Sequence, residues 1–214
     1  SSLTDVAERD DQLGGLARVF TEMVATIKTR EQELVVLNRH LEELLSAYGR
    51  FVPHAYLKFL KKKSIIEVQL GDHISKEMAI MFSDIRSFTM LSEKMTPQES
   101  FDFINAFLKC VSPEIHNHNG LIVKYLGDGL MAIFPDSVDD AVLAGIAKFR
   151  QFREYNHTRQ AKGYPLLNLG IGIHVGHVMM GIVGETNRIE GDALSGSVTL
   201  AARLEGLTKY YGVS

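Results

Sequence analysis

Hydrophobic residues recur every seven positions from residue 13 to residue 51, which is the spacing of one face of a helix. Two such series run three positions apart: Leu13, Phe20, Ile27, Leu34, Leu41 and Tyr48, and then Leu16, Met23, Arg30, Leu37, Leu44 and Phe51. Only the second series contains a charged residue, and no proline precedes Pro53. This heptad pattern predicts one long helix, and it favours a parallel two-stranded coiled coil over a helix packed on its own domain. We assign residues 1–50 to this segment.

The pattern changes over residues 51–74, which we interpret as a structured linker. Pro53 predicts the end of the long helix, because the residue before a proline is disfavoured in the helical conformation. We expect residues 55–62 to form a short helix and residues 65–72 to form a small strand followed by a turn.

Strand and helix patterns alternate over residues 75–214. The expected elements are a strand over 76–83, a helix that begins after Thr96, a strand–turn–strand over 120–134, a helix over 137–160, strands over 166–175 and 179–183 around a Gly176-His177 turn, and a helix over 194–209. Thr96 and Glu99 have the spacing of a capping box, with Pro97 at the first helical position. The order strand-helix-strand-strand-helix-strand predicts a mixed α/β (α+β) domain of ferredoxin-like arrangement.

Composition excludes several classes of protein. The chain has 214 residues, of which 45% are hydrophobic and 23% charged, as in ordinary globular domains. A net charge of -3 argues against a nucleic-acid binder, which normally carries a basic face. The single cysteine, Cys110, allows no intrachain disulfide, which is typical of a reducing compartment such as the cytoplasm. No apolar run approaches the roughly 18 residues of a membrane-spanning helix.

Two acidic residues lie where apolar strands end. Asp84 follows the run from Ala79 to Ser83, and Asp128 lies between two glycines in the middle of the predicted strand–turn–strand. Taken alone, Asp84 is explained as a helix N-cap and Asp128 as a hairpin-turn residue. Taken together, the two carboxylates predict a magnesium site, because Mg²⁺ prefers one or two carboxylates together with substrate phosphates.

Four sequence motifs then indicate a family. FSDIRSFT (82–89), KYLGDGLMAIF (124–134), GIGIHVGHVMMGIVG (170–184) and SGSVTLAARLEGLTKYYG (195–212) occur in the order of a class III nucleotidyl cyclase catalytic domain, and residues 75–214 resemble that domain throughout. The resemblance implies a palm fold in which Asp84 and Asp128, with the Ile85 carbonyl, hold two Mg²⁺ or Mn²⁺ ions. It implies a lyase that converts ATP into 3′,5′-cyclic AMP and pyrophosphate.

The resemblance also assigns the remaining site residues. Arg203 stands where the family carries its transition-state arginine, the alternative being a surface arginine paired with Glu205 or Glu190. Lys124 and Asp192 stand where adenylyl cyclases read adenine N1 and the N6 amino group. Thr199 stands where the family usually has an asparagine that orients the ribose. Further strands carrying a triphosphate-binding lysine would be expected after Ser214.

The same comparison predicts partners and context. In the family the metal aspartates come from one subunit and the other site residues from its partner, so a head-to-tail homodimer with two shared sites is expected. Residues 11–23 resemble the second half of a HAMP signalling module. This implies a longer parent protein with an upstream sensor and a membrane span, anchored at the inner face of the plasma membrane. Besides ATP, no nucleic-acid partner is expected.

Three other functions remain open at this point. A guanylyl cyclase would carry glutamate where Lys124 stands. A diguanylate cyclase shares the palm fold but has a Gly-Gly-acid-acid-Phe turn where this chain has Gly127-Asp128-Gly129. From a different class, the domain could be a catalytically weak dimerisation or signal-relay module, although both aspartates and Arg203 are present.

Overall fold

A computed structural model describes residues 6, 8, 11–49, 54–185 and 188–213, which divide into one unit up to His54 and a second from Ala55. The first unit contains helix α1 (Gln12–Tyr48), whose 37 residues confirm the expected single long helix. The side chain of Asp11 caps it by accepting a hydrogen bond from the Gly14 N–H at 3.0 Å. Pro53 and Phe51, on which the predicted helix end and the last heptad position rest, lie outside the described residues.

The heptad seam of α1 is open to solvent in the single chain. All of its described apolar members are exposed: Leu13, Leu16, Phe20, Met23, Ile27, Leu34, Leu37, Leu41, Leu44 and Tyr48. A second chain would cover such a seam in a coiled coil, and that assembly stays a prediction. Of the helices that the structure describes, none combines the length and apolarity needed to cross a membrane.

The second unit is built on one antiparallel sheet. Its described strands are β1 (His73–Ile85), β2 (Leu121–Leu126), β3 (Gly129–Phe134), β4 (Leu169–Glu185) and β5 (Arg188–Leu194). They lie in the order β2-β3-β1-β4-β5, and every neighbouring pair is antiparallel. The first four strands have the ferredoxin-like order, which confirms the predicted palm fold, and β5 extends it at one edge.

Six helices accompany the sheet in the described part of this unit: α2 (His54–Phe59), α3 (Phe88–Ser92), α4 (Pro97–Val111), α5 (Pro113–Asn117), α6 (Val138–Ala161) and α7 (Gly196–Tyr210). The predicted capping box at α4 is present, with the Glu99 N–H donating to Thr96 Oγ1 at 3.2 Å. Ser137 caps α6 in a similar way, by accepting a hydrogen bond from the Asp139 N–H. Local sequence signals therefore set these helix starts.

Alternate residues of β1 pack on opposite faces of the sheet, as strand geometry requires. Met78 and Ile80 join a core that includes Ala201 of α7. Ala79 and Met81 join a second core, on the α6 side. By this alternation Asp84, near the end of β1, belongs to the face covered by α7.

The predicted turn at Gly176 and His177 is wrong, because β4 runs through both residues without interruption. Gly176 pairs with Met78 of β1 and does not reverse the chain. A Cβ at Gly176 would lie 2.3 Å from Ser197 Oγ, so this glycine permits the close approach of α7 to the sheet. The strand β5, which the sequence did not predict, pairs antiparallel with the last part of β4, from Met179 to Glu185.

The small strand predicted within residues 65–72 is wrong, whereas the turn predicted after it is present. The structure has a 3₁₀ helix, Ile65–Glu67, capped by the side chain of Ser64. The turn before β1 is present and uses Gly71, whose φ of 86° is readily adopted only by glycine. The Gly71 N–H then donates to the Ile182 carbonyl, which fixes the start of β1 against β4.

Candidate active site

Two carboxylates are brought together at the end of β1. Asp84 is the penultimate residue of this strand, and Asp128 lies in the turn between β2 and β3. Because Ser83 pairs with Leu130, the next register position sets Asp84 beside Gly129. A Cβ at Gly129 would lie 3.2 Å from Asp84 Oδ1. The absence of a side chain at this position therefore lets the turn carry Asp128 next to Asp84.

The two carboxyl groups repel each other. Burial, followed by the hydrogen bond to Asp84 and the negative charge of Asp84, raises the pKa of Asp128 to about 7. The Ile85 N–H donates to Asp84 Oδ1 at 2.8 Å. Neither aspartate forms an ion pair with a lysine or arginine in the described part of the chain. A hard divalent cation would relieve this repulsion, so the donor set fits Mg²⁺ or Mn²⁺.

A cavity of about 460 Å³ opens beside this pair. Asp84, Asp128 and Ile85 line one side of it, and Glu205 and Lys209 of α7 line another. Burial and the charge of Asp84 raise the pKa of Glu205, while nearby Arg86 and Lys209 oppose that shift. The described residues contain no group of three or more His, Cys, Asp or Glu placed to hold a metal. Asp84 and Asp128 are the two adjacent carboxylates on the wall of this cavity.

Lys124 and Asp192 form a second polar cluster. Lys124 Nζ donates to Asp192 Oδ2 at 2.8 Å and lies 3.7 Å from Glu190 Oε1. Lys124 is on β2 and Asp192 on β5, at opposite edges of the sheet. A bulge in β2 between Ile122 and Lys124 increases the local twist, and the two edge strands contact each other on one side. The structure thus joins two residues that are 68 positions apart in sequence.

Arg203 and Thr199 lie apart from the carboxylate cavity. They are one turn apart on α7, so they share a face of that helix, and both are exposed. Glu205 follows Arg203 by two positions, about 200° around the helix, and faces the cavity. The alternative role of Arg203, an ion pair with Glu205 or Glu190, does not occur among the described residues, and Glu190 lies near Lys124. One chain therefore does not bring Arg203 to the two aspartates.

Two buried polar residues near the site were not singled out from the sequence. Lys148 of α6 is fully buried and donates from Nζ to Ser83 Oγ at 2.8 Å, directly before Asp84 in β1. Burial lowers the pKa of Lys148 to about 7. Its position among Ala141, Ala144 and Phe152 on the apolar face of α6 is a signal that could have revealed it. Tyr56 packs against Gly191 of β5, and no sequence spacing connects these two residues.

The fold of this unit is shared with nucleotide cyclases. Residues 72–213 match the family described as the adenylate and guanylate cyclase catalytic domain. Because this match covers most of the chain, the chain belongs to that family, the class III nucleotidyl cyclases.

The individual relatives include both adenylyl and guanylyl cyclases. An adenylate cyclase of Anabaena cylindrica is 37% identical over 213 residues, which are 97% of this chain and 41% of the relative, so this chain spans under half of that protein. A solved bacterial light-regulated adenylyl cyclase is 32% identical with a TM-score of 0.59, over 64% of this chain and 72% of that one. The guanylyl cyclase Cya2 is 29% identical with a TM-score of 0.58, over 63% and 71%.

Proposed function

We propose that this chain is the catalytic part of an adenylyl cyclase that converts ATP into 3′,5′-cyclic AMP and pyrophosphate. The observation that carries this proposal is the contact between Lys124 and Asp192, which sets a donor and an acceptor side by side. Adenine presents an acceptor at N1 next to a donor at the N6 amino group, so the pair complements its edge. Guanine presents the reverse, a donor at N1 and an acceptor at O6.

Base selection then follows from hydrogen bonding. Lys124 donates to adenine N1, and Asp192 accepts from the N6 amino group. With guanine, Lys124 would oppose an N–H and Asp192 would oppose an oxygen, so buried polar groups would stay unpaired. A site of this kind discriminates strongly, because unpaired buried groups keep their full desolvation cost. Both residues are half-buried, and their hydrogen bonds to the base are therefore stronger than they would be in open solvent.

Asp84, Asp128 and the Ile85 carbonyl would hold two divalent cations, Mg²⁺ or Mn²⁺. When bound, such ions lower the pKa of the attacking ribose 3′-hydroxyl and neutralise the triphosphate. Asp128 must be deprotonated to act as a ligand, and a bound cation would lower the pKa that burial and Asp84 raise. Arg203 would stabilise the charge that develops on the α-phosphate, and the Thr199 hydroxyl would orient the ribose.

The site is completed by a second copy of the chain. Arg203 and Thr199 lie on a face of α7 away from the Asp84 cavity, so they are free to serve the cavity of a partner. A head-to-tail homodimer would then contain two equivalent shared sites. The exposed heptad seam of α1 supplies a surface for the same pairing. In the whole protein, residues 11–23 would continue a HAMP module and a membrane anchor upstream, with the cyclase domain in the cytoplasm.

A guanylyl cyclase is the second candidate function. The similarity to the guanylyl cyclase Cya2 favours it, because the same fold at 29% identity carries that name. The donor–acceptor order of Lys124 and Asp192 opposes it. A relay module without activity is opposed by the adjacent carboxylates, because their mutual repulsion destabilises the fold unless a cation offsets it.

Product analysis with two matched aspartate variants tests the proposed activity. Asp128 precedes β3 and Asp136 follows it, but Asp136 is exposed and its carboxylate forms an ion pair with Lys76. The wild-type chain with Mn²⁺ and ATP should yield cyclic AMP. Asp128→Asn should reduce the rate at least a hundredfold, while Asp136→Asn should leave it unchanged. Equal rates in all three proteins would contradict the role of the carboxylate pair.

A further inference from the structure

Tyr56 lies against the strand that carries Asp192. It belongs to α2, the first helix of the catalytic unit, and only 3% of it is exposed. A Cβ placed on Gly191 would lie 2.4 Å from both Cε1 and Cζ of its ring. The ring therefore occupies the space that any other residue at position 191 would need, directly between Glu190 and Asp192 in sequence.

The hydroxyl of Tyr56 is buried without a hydrogen-bond partner among the described residues. Buried tyrosine hydroxyls normally have one, because an unpaired polar group in the interior is costly. Tyr56 Oη lies 2.9 Å from the Cβ position of Gly191, so it is held beside the backbone that joins Glu190 to Asp192. Burial, and then the charges of Asp192 and Glu190, raise the pKa of Tyr56. The hydroxyl is thus a neutral donor that lies beside Gly191 and within the electrostatic field of the two flanking carboxylates.

The carboxylate of Asp192 accepts hydrogen bonds from two donors within the chain. Its Oδ1 accepts from the Ala193 N–H at 2.8 Å, and its Oδ2 accepts from Lys124 Nζ at 2.8 Å. Recognition of adenine requires Lys124 to direct a proton at N1, which weakens its bond to Oδ2. Asp192 then needs another donor to keep its carboxylate fixed as an acceptor for the amino group.

We propose that Tyr56 is a positioning residue for adenine recognition, and that its hydroxyl donates to Asp192 when Lys124 turns toward the base. This inference rests on the proposed function. It gives a role to a tyrosine hydroxyl that lies in an apolar core with no hydrogen-bond partner among the described residues. It also places α2, which follows the long helix in sequence, in contact with the substrate-reading strand.

Comparison of the free and nucleotide-bound states of Tyr56→Phe tests the role, because the variant removes one oxygen and keeps the ring. The probe is 3′-deoxy-ATP with Mn²⁺, which lacks the attacking hydroxyl. Without nucleotide, the variant should melt no lower than wild type, since the hydroxyl has no partner to lose. With the probe, its affinity should fall about tenfold, as expected for a lost hydrogen bond to a charged group. The ATP-to-GTP ratio of kcat/KM should fall by a similar factor.

Ser112→Ala is the matched control. Ser112 Oγ is the other buried side-chain atom without a partner among the described residues, and it makes no cap hydrogen bond at α5. This variant should leave both the affinity for 3′-deoxy-ATP and the nucleotide ratio unchanged.

Three results would contradict the inference, and they are distinguishable. If the wild type is active and Tyr56→Phe has the same affinity for 3′-deoxy-ATP and the same ATP-to-GTP ratio, the proposed role of Tyr56 is wrong. The proposed function of the chain would not be affected by that result. A lower melting temperature of the nucleotide-free variant with unchanged affinity shows a structural role instead. A wild-type chain that makes no cyclic AMP from ATP overturns the proposed function, and this inference with it.

Discussion

Lys124 Nζ lies 2.8 Å from Asp192 Oδ2, although the two residues belong to strands at opposite edges of a five-stranded sheet. The sheet must therefore curl, and the curl places a donor beside an acceptor on one side of the molecule. Glu190 adds a second carboxylate near the same ammonium group. This local order of donor and acceptor is the basis on which we propose ATP as the substrate.

Reversal of the donor–acceptor order should reverse base preference. We expect Lys124→Glu with Asp192→Cys to lower the ATP-to-GTP ratio of kcat/KM by about a hundredfold, because two buried polar contacts of about 1–3 kcal/mol each are lost. Most of this change should be lost ATP activity, since a competent pose for GTP also needs correct positioning. The same substitutions at the exposed Lys76–Asp136 pair serve as the control. A ratio unmoved by the first double variant would mean that other groups read the base.

The buried Lys148 should make stability depend on pH. Its pKa is about 7 in the folded chain and 10.5 when exposed, so the unfolded state binds more protons between these values. The burial of the Lys148 ammonium group therefore lowers the free energy of unfolding by an amount that depends on pH. This loss is absent above about pH 10, grows as the pH falls to about 7, and is constant below that. Lys148→Met should be more stable than wild type, with a difference about 2 kcal/mol larger at pH 7 than at pH 9.

Urea unfolding of wild type and Lys148→Met at the two pH values measures this difference. Lys109→Met, which changes an exposed lysine on α4, controls for the loss of a positive charge. A Lys148 variant less stable than wild type at pH 7 would show that the hydrogen bond to Ser83 outweighs the burial of the ammonium group.

Sequence reading recovered the elements whose signals are local. The capping box at Thr96, the helix that begins near Ser137 and the long heptad helix each occur as predicted, because propensity and neighbouring side chains decide them. The prediction of a turn at Gly176 was wrong, because a glycine can permit either a chain reversal or the close approach of another segment to the backbone. Contact with Ser197, far along the chain, decided between them.

The sequence predicts only part of the candidate site, because contacts between distant segments decide the rest. Resemblance identified Asp84, Asp128, Lys124 and Asp192, and the structure brings them together as two pairs. The polar environments of Tyr56 and Lys148 depend on packing between distant segments, which no spacing in the sequence reports. The burial of each side chain is known only from the structure.

The exposed seam of α1 should hold two chains together. Leu37→Glu with Leu41→Glu should weaken the dimer by orders of magnitude, because each buried leucine in such a seam contributes a few kcal/mol. Val35→Glu with Val36→Glu makes the same change off the seam and should leave the dimer intact. Sedimentation at sub-micromolar concentration distinguishes the two. A Leu37 and Leu41 variant that stays dimeric would remove the coiled coil from the account.

Shared sites should allow inactive chains to complement one another. Asp84→Ala and Arg203→Ala are each expected to be inactive, but a mixture should recover activity because one of the two sites in a mixed dimer is whole. Asp84→Ala mixed with Asp128→Ala is the control, since both changes fall in the same set of residues and no whole site can form. Absence of recovery when the chains are shown to exchange would mean that all residues act within one chain.

Competition between nucleotides tests the proposed activity most directly. Wild-type chain is incubated with Mn²⁺ and equal concentrations of ATP and GTP, and the cyclic products are separated and measured. We predict that cyclic AMP exceeds cyclic GMP by at least tenfold, because Lys124 and Asp192 match the edge of adenine. Cyclic GMP in equal or greater amount, or no cyclic product at all, would contradict the assignment of this chain as an adenylyl cyclase.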